Sequence, residues 1–537
     1  MTNTINTDDK VLRVAWWVLG LTAFGLTLTI RIRLLGIPLE RDEGEYAYAG
    51  QLMLQGIPPY ELAYNMKFPG TYAAYALLMS IFGQTITGIH LGLLLVNAAT
   101  VVLIFFLGRK LINSTAGIAA AASYAVLSVS PSVLGLAGHA THFVLLPVIG
   151  GTLLLLNQSN QQAFGRLFAS GLLFGIGVLM KQPAIFFVFF GAFYLTFRGI
   201  RVGFDLKRIL LQNLIFAGGV IVPFGMTCLV LWFAGVFNNF WFWTIDYARQ
   251  YGSLVPLSDA PQIFIHNVKE VIGADWALWV LAGIGLISGL WTKRTRTSTA
   301  FLLGLLISSV LAASAGFYFR YHYFVLALPT VSLLASVAAS NLSDRLTGRA
   351  RAVRLLVFLL FGTALGWPLF QEKKIFFQLS PVEASRMIYP ESPFVESVRI
   401  AEFVREHTNP NDTIAVLGSE PEIYFYSNRH SATGYIYTYG LMEPQKYAPQ
   451  MQGEMIREIE RTHPKYLIFV GMSDSWLKRP GSEELIFTWA HDYIPQNYSI
   501  TGFVDLSATD RAHYYFGDIP RPLPQLENYI LICERKS

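Results

Sequence analysis

The stretch "ERDEGEYAYAG", residues 40–50, follows an apolar run from Val11 to about Leu35. A helix that crosses a membrane needs about 20 mostly apolar residues, and the 11–35 run supplies them. Gly36 and Pro38 then end the run. Glu40, Asp42, Glu43 and Glu45 gather with Arg41 where the chain should be leaving lipid. The segment 42–56 predicts a short amphipathic helix stopped by Gly56, with Pro58 and Pro59 beyond it. Asp42 and Glu45 are three apart and share a face of that helix. Two readings are open at this point. Acids in a first turn complement the helix dipole, and Asp-x-x-Glu is close to a capping box. Acids collected at a membrane exit can also be a reaction centre.

The rest of the chain sets the context for that choice. Its 537 residues are 53% hydrophobic and 14% charged, with a mean hydropathy of +0.43. A soluble domain carries roughly 25% charge, so most of this chain belongs in lipid. Apolar runs predict spans near 12–35, 86–108, 115–134, 138–156, 167–180, 182–198, 209–235, 272–291, 299–318, 321–340 and 353–370. The first is read as an uncleaved span, because no small-residue cleavage site follows it. The net charge of +5 suits basic cytoplasmic loops, and no basic cluster resembles a nucleic-acid surface. Two cysteines, Cys228 and Cys533, argue against a disulfide framework or a thiolate metal site.

Lysine and arginine bias gives the orientation. With the amino terminus in the cytoplasm, inner loops hold Arg109, Lys110, Arg198, Arg201, Lys207, Arg208, Lys293 and Arg294. Arg31 and Arg33 oppose the rule. This orientation predicts that the acidic loop 36–70, the segment 138–142, Lys181, the aromatic loop 236–270 and Arg320 all face the outer side. From about Gln371 charges become frequent and apolar runs shorten. Strands are predicted at 413–418, 465–471 and 529–534, alternating with amphipathic helices near 393–408 and 452–463. The expected division is therefore a membrane part, 1–370, and an extracytoplasmic α/β domain, 371–537.

Several polar residues could carry chemistry, each with a plain alternative. Lys67, in "YNMKFPGTY", is a cation for a lipid phosphate or a snorkelling interfacial lysine. His139 and His142 have a spacing that a divalent metal can use, and that interfacial polar contacts use as well. Lys181, in "LMKQPAIFF", lies between two apolar runs, where a cation needs a partner or water. Trp241, Trp243, Tyr247 and Tyr251 form an interface belt or a contact for a sugar or isoprenoid. Arg320, His322 and Tyr323, in "FYFRYHYFVLALP", anchor a span or bind substrate. "LGSEPE", 417–422, lacks the glycines of a nucleotide loop, which favours a donor delivered through the membrane.

Taken together, "RDEGEYAYAGQLMLQGIPPY", "KFPGTY", "MKQP" and "RYHYFVLALP" resemble the GT-C superfamily of polyprenyl-phosphate-sugar-dependent glycosyltransferases over roughly residues 10–370. The protein mannosyltransferase-like, Rgt-type and lipid A aminoarabinose transferase-like families are the similar ones. The resemblance implies a bundle of about 11 transmembrane helices in a plasma (inner) membrane. It also implies a polyprenyl-phosphate sugar donor and a lipid, glycan or protein acceptor, with transfer on the outer face by inversion. Carried over by position, Asp42 is the catalytic acid or base and Glu43 its neighbour. Lys67 would bind phosphate, as would Arg320 and Lys181, with His322, Tyr323 and Glu45 in the substrate site. Met66 stands where some relatives have an acid, and "GHATHF" has no carboxylate where many have a second acidic motif. Those departures argue against metal use and against protein O-mannosylation, and they leave a divalent ion on His139 and His142 as the only cofactor candidate. The other readings are a transporter or flippase for a lipid-linked or polar solute, and a polysaccharide polymerase or ligase.

Overall fold

A computed structural model describes residues 7–156, 164–345, 351–507 and 512–536 except 521, 523 and 525. Among the described residues seven helices are long and apolar enough to cross a membrane, and Ser114–Leu127, Ala140–Leu156, Phe164–Met180 and Leu355–Gln371 are shorter apolar helices. Each of the eleven expected spans falls on one of these, and the chain is a multi-pass membrane protein. Some boundaries differ: the expected spans 115–134 and 299–318 end at Leu127 and Ala313. The region from Ala260 to Trp291 is two helices, Ala260–Ile272 and Trp276–Trp291, broken at Gly273, and Phe237–Trp241, Phe242–Tyr247 and Ala248–Gly252 are helical too, so most of the expected loop 236–270 is helical.

The chain divides into two units: Met1–Leu35, His90–Thr227 and Leu257–Leu379 form the first, and Gly36–Ile89, Cys228–Pro256 and Ser380–Ser537 the second. In the first, the stretch Tyr321–Ser343 is the central element, 94% buried, whereas Leu206–Phe233 is 17% buried and presents an apolar face outward. Trp276–Trp291 packs tightly on Leu328–Arg345 because Gly285 lets the two backbones touch at the Leu334 carbonyl. Helix α1, Thr7–Arg33, ends in the two arginines that oppose the charge rule. Arg31 is buried and donates to the carbonyls of Ser128 and Gly135 at 2.7 and 3.0 Å. Arg33 donates to the carbonyls of Ile375, Phe376 and Leu379. Both guanidiniums satisfy carbonyls at or beyond helix ends, which explains their place on the expected outer side.

The second unit is built on α2, Arg41–Leu54, and α3, Gly70–Phe82, with a five-stranded sheet. Its strands are β1 Ile414–Leu417, β2 Tyr466–Gly471, β3 Tyr498–Asp505, β4 His513–Phe516 and β5 Tyr529–Arg535, in the order β1-β2-β5-β3-β4. β1 and β2 are parallel and the remaining pairs antiparallel. Helices Phe394–Glu406 and Ala448–Thr462 match the two amphipathic patterns. β3 and β4 carry no clear signal: Gly502 interrupts β3 at a register shift, and β4 is only four residues long. α2 and α3 approach closely at Gly50, where an added Cβ would lie 3.0 Å from the Ala76 nitrogen and 3.1 Å from the Tyr72 carbonyl.

Candidate functional site

The acidic stretch opens α2. Glu40 is its N-cap and forms a capping box with Glu43: the Glu43 amide donates to Glu40 Oε1 at 2.9 Å, and the Glu40 amide to Glu43 Oε2 at 3.3 Å. The helix-start reading therefore holds, one residue pair earlier than Asp42 and Glu45. Glu43, expected beside the reaction centre, has its carboxylate on this cap.

Asp42 and Glu45 converge on one cation. Lys67 Nζ donates to Asp42 Oδ1 at 2.9 Å and to Glu45 Oε2 at 2.6 Å. The ammonium also lies 4.6 Å from the ring centroid of Tyr46 and 5.6 Å from that of Tyr437. The Tyr72 hydroxyl donates to Glu45 Oε1 at 2.6 Å, and the Tyr60 hydroxyl to the Lys67 carbonyl at 2.7 Å. Pro69 and Gly70 start α3 two residues after Lys67, so this turn sets the lysine against the 42/45 face of α2. The side chain of Glu45 is 1% exposed and that of Asp42 15%. Of the two acids, Asp42 is the more exposed.

Two carboxylates share one ammonium, so the fully ionised trio carries an excess negative charge. Burial raises the pKa of Glu45, against the Lys67 charge, and Asp42 adds to the rise. For Lys67, burial opposes the charged form, but Asp42, Glu45 and the neighbouring tyrosines outweigh it and hold the ammonium charged well above the ordinary lysine range. Tyr46, Tyr60, Tyr72 and Tyr437 received no role from the sequence. Tyr72 lies in "FPGTY" and Tyr46 in the opening stretch, whereas nothing local could have connected Tyr437 to Lys67 across 370 positions.

In the first unit, four of the expected residues form a row. Lys181, in the irregular turn between Phe164–Met180 and Ile185–Val202, has its ammonium 3.8 Å from the Tyr323 ring centroid. Tyr323 meets His322 edge-on at 4.8 Å, and His322 stacks on His139 at 4.1 Å with 10° between the rings. His142 lies against Asn97. Its Nδ1 is 3.5 Å from the Asn97 amide, which puts its ring in a buried polar contact. His139 and His322, whose ring nitrogens come within 4.8 Å, are thus the histidines that could share a divalent ion. Arg320 lies over Tyr318 at 5.7 Å.

The aromatic loop is mainly packing. Trp243 stacks on Tyr64 at 5.4 Å and meets Tyr435 at 5.7 Å, and the Tyr247 hydroxyl donates to Glu443 at 2.8 Å. Trp243 and Tyr247 are buried, and Trp241 is exposed.

The dolichyl-phosphate-mannose-protein mannosyltransferase family matches residues 67–232. Among solved structures, ArnT from Cupriavidus metallidurans bound to undecaprenyl phosphate is similar, with a TM-score of 0.57 and 14% identity over 96% of this chain and 98% of that one. The Archaeoglobus fulgidus oligosaccharyltransferase tethered to an acceptor peptide has a TM-score of 0.55 and 13% identity, over 97% and 76%. The same organism's oligosaccharyltransferase AglB with an inhibitory peptide and a dolichol-phosphate has a TM-score of 0.54 and 12% identity, over 94% and 75%. No characterised protein matches by sequence.

Proposed function

We propose that this chain, a multi-pass membrane protein with the GT-C glycosyltransferase fold, moves a sugar from a polyprenyl-phosphate donor to a lipid, glycan or protein acceptor on the outer face of the membrane. The observation that carries the reading is the Asp42–Lys67–Glu45 trio at the start of α2. The acceptor hydroxyl attacks the anomeric carbon, and the bond from that carbon to the phosphate oxygen breaks. Its electron pair leaves with the polyprenyl phosphate. The hydroxyl proton passes to the Asp42 carboxylate, the more exposed of the trio's two acids. One attack from the face opposite the phosphate inverts the anomeric centre.

Lys67 has three ammonium donors and uses two on Asp42 and Glu45. It orients the base and has a third for a phosphate oxygen. Lys181 and Arg320 are the other proposed phosphate cations, because preorganised positive charge favours a leaving phosphate. Glu45, buried on Lys67 and Tyr72, holds that lysine in place. Glu43 has no part in the reaction. His139 and His322 would hold a divalent ion if one is used, supplying charge stabilisation. The similarity of the fold to structures holding undecaprenyl phosphate and dolichol-phosphate supports the donor class.

The test is donor consumption. Purified protein in lipid is offered polyprenyl-phosphate sugars with a native membrane extract, and polyprenyl phosphate release is followed. Acceptor-dependent release is expected. Movement of intact lipid-linked sugar across the bilayer without release would replace the transferase reading with a flippase.

A further inference from the structure

α2 carries a second buried charge cluster beside the one that holds Lys67. Arg41 Nε donates to the Ser419 carbonyl at 2.7 Å and Nη2 to Glu420 Oε1 at 3.4 Å, with Asp474 3.9 Å from Nη1. The guanidinium lies over the rings of Phe394 and Tyr439, at 5.5 and 5.1 Å. Glu420 is fully buried and accepts from Ser475 Oγ at 2.7 Å. Glu422 is fully buried too. Its Oε1 accepts from Ser397 Oγ at 2.7 Å, while its Oε2 has no partner among the described residues. The backbone of α2 presses on this residue: a Cβ at Gly44 would lie 2.6 Å from Glu422 Cβ and 2.7 Å from its nitrogen. Positions 41 and 44, on either side of Asp42, thus both rest on the turn 419–422.

We propose that Arg41, Glu420 and Glu422 are positioning residues for the transfer: they fix the first turn of α2, and with it the Asp42 carboxyl, on the β1 end of the sheet. The inference rests on the reading of Asp42 as the base. The chemistry of the cluster agrees with such a role. A guanidinium fork that grips a carbonyl and a carboxylate together sets an orientation that a lysine cannot. The cluster holds two buried carboxyls for one guanidinium, which favours a proton on one of them. The Glu422 carboxyl is the one pushed up to about 8, by burial first and then by Glu420. The charged and titratable groups facing Glu422 are Arg41 on α2, Glu420 on its own turn and Tyr426 one helical turn on. Ionising Glu422 sets a second anion beside Glu420, directly beneath Gly44.

The test uses the full chain in lipid, with two readouts on each variant: donor turnover, and hydrogen exchange of the 41–54 amides corrected for intrinsic rates. Arg41→Lys is expected to lower kcat at least about tenfold with little change in donor KM, and to raise exchange in α2 while the remaining helices keep their protection. Wild type is expected to show a rise in α2 exchange and a fall in kcat from about pH 7 to 9, and Glu422→Gln, neutral at every pH, is expected to abolish both. Arg41→Lys with wild-type kcat and wild-type α2 exchange overturns the proposal. So does a Glu422→Gln protein that keeps the alkaline rise in α2 exchange. If wild type consumes no donor, the transferase reading fails, and the exchange arm still decides whether these residues hold α2.

Discussion

Lys67 and Lys181 are both lysines beside apolar sequence, and they are held in different ways. Lys67 lies between two carboxylates at hydrogen-bond distance, with tyrosine rings around them. Lys181 rests on a tyrosine ring that begins a row of two stacked histidines. The first arrangement fixes the Asp42 and Glu45 carboxylates around one ammonium. The second sets an ammonium over an aromatic face, a contact typically worth about 0.5–2 kcal/mol. The proposed function gives acid–base work to the first arrangement and phosphate binding to Lys181.

The largest effect that would break this contrast is at Lys67. Lys67→Met leaves a buried carboxylate without its cation. It is expected to cost about 3 kcal/mol, seen as a large drop in thermal unfolding temperature in detergent, and to abolish turnover. A stable, active variant would show that the trio carries neither role.

Glu45→Gln has a smaller effect with a sign fixed by pH. Because the folded pKa of Glu45 is raised, its contribution to stability is full below the ordinary glutamate range and is lost as pH rises through the folded value. The variant is expected to flatten the fall in wild-type stability over that window, read by unfolding temperature against pH. An unchanged slope would mean that Glu45 is not the group that titrates.

Lys181→Gln is expected to raise donor KM several-fold, about 1 kcal/mol, with kcat nearly unchanged, and Lys181→Arg to restore it. A kcat loss without a KM change would move Lys181 into the chemical step. Smallest is Tyr323→Leu, which removes the ring under the ammonium and is expected to shift KM about twofold.

The amino-acid sequence shows where the helices and the acidic stretch lie, because lipid demands long apolar runs and helix starts have local chemistry. It names Asp42, Lys67 and Glu45, yet not which acid is capped and which is paired. That depends on the turn at Pro69 and Gly70, which sets Lys67 on one helix face. The charge rule flags Arg31 and Arg33 as exceptions without showing the carbonyls 97 to 346 positions away that bind them. The His139–His142 spacing suggests a pair, whereas packing gives His139 to His322 and His142 to Asn97. The Arg41 cluster is invisible for the same reason: "LGSEPE" reads as a failed nucleotide loop until the fold brings it against α2.

The central claim, that Asp42 is the base of a sugar transfer, is tested most directly by Asp42→Asn. The measurement is polyprenyl phosphate released per protein molecule at saturating donor, in the same lipid as wild type. The account predicts a kcat loss of about 10²–10⁴-fold, with donor KM and unfolding temperature close to wild type. Turnover at the wild-type rate by the folded variant would contradict it.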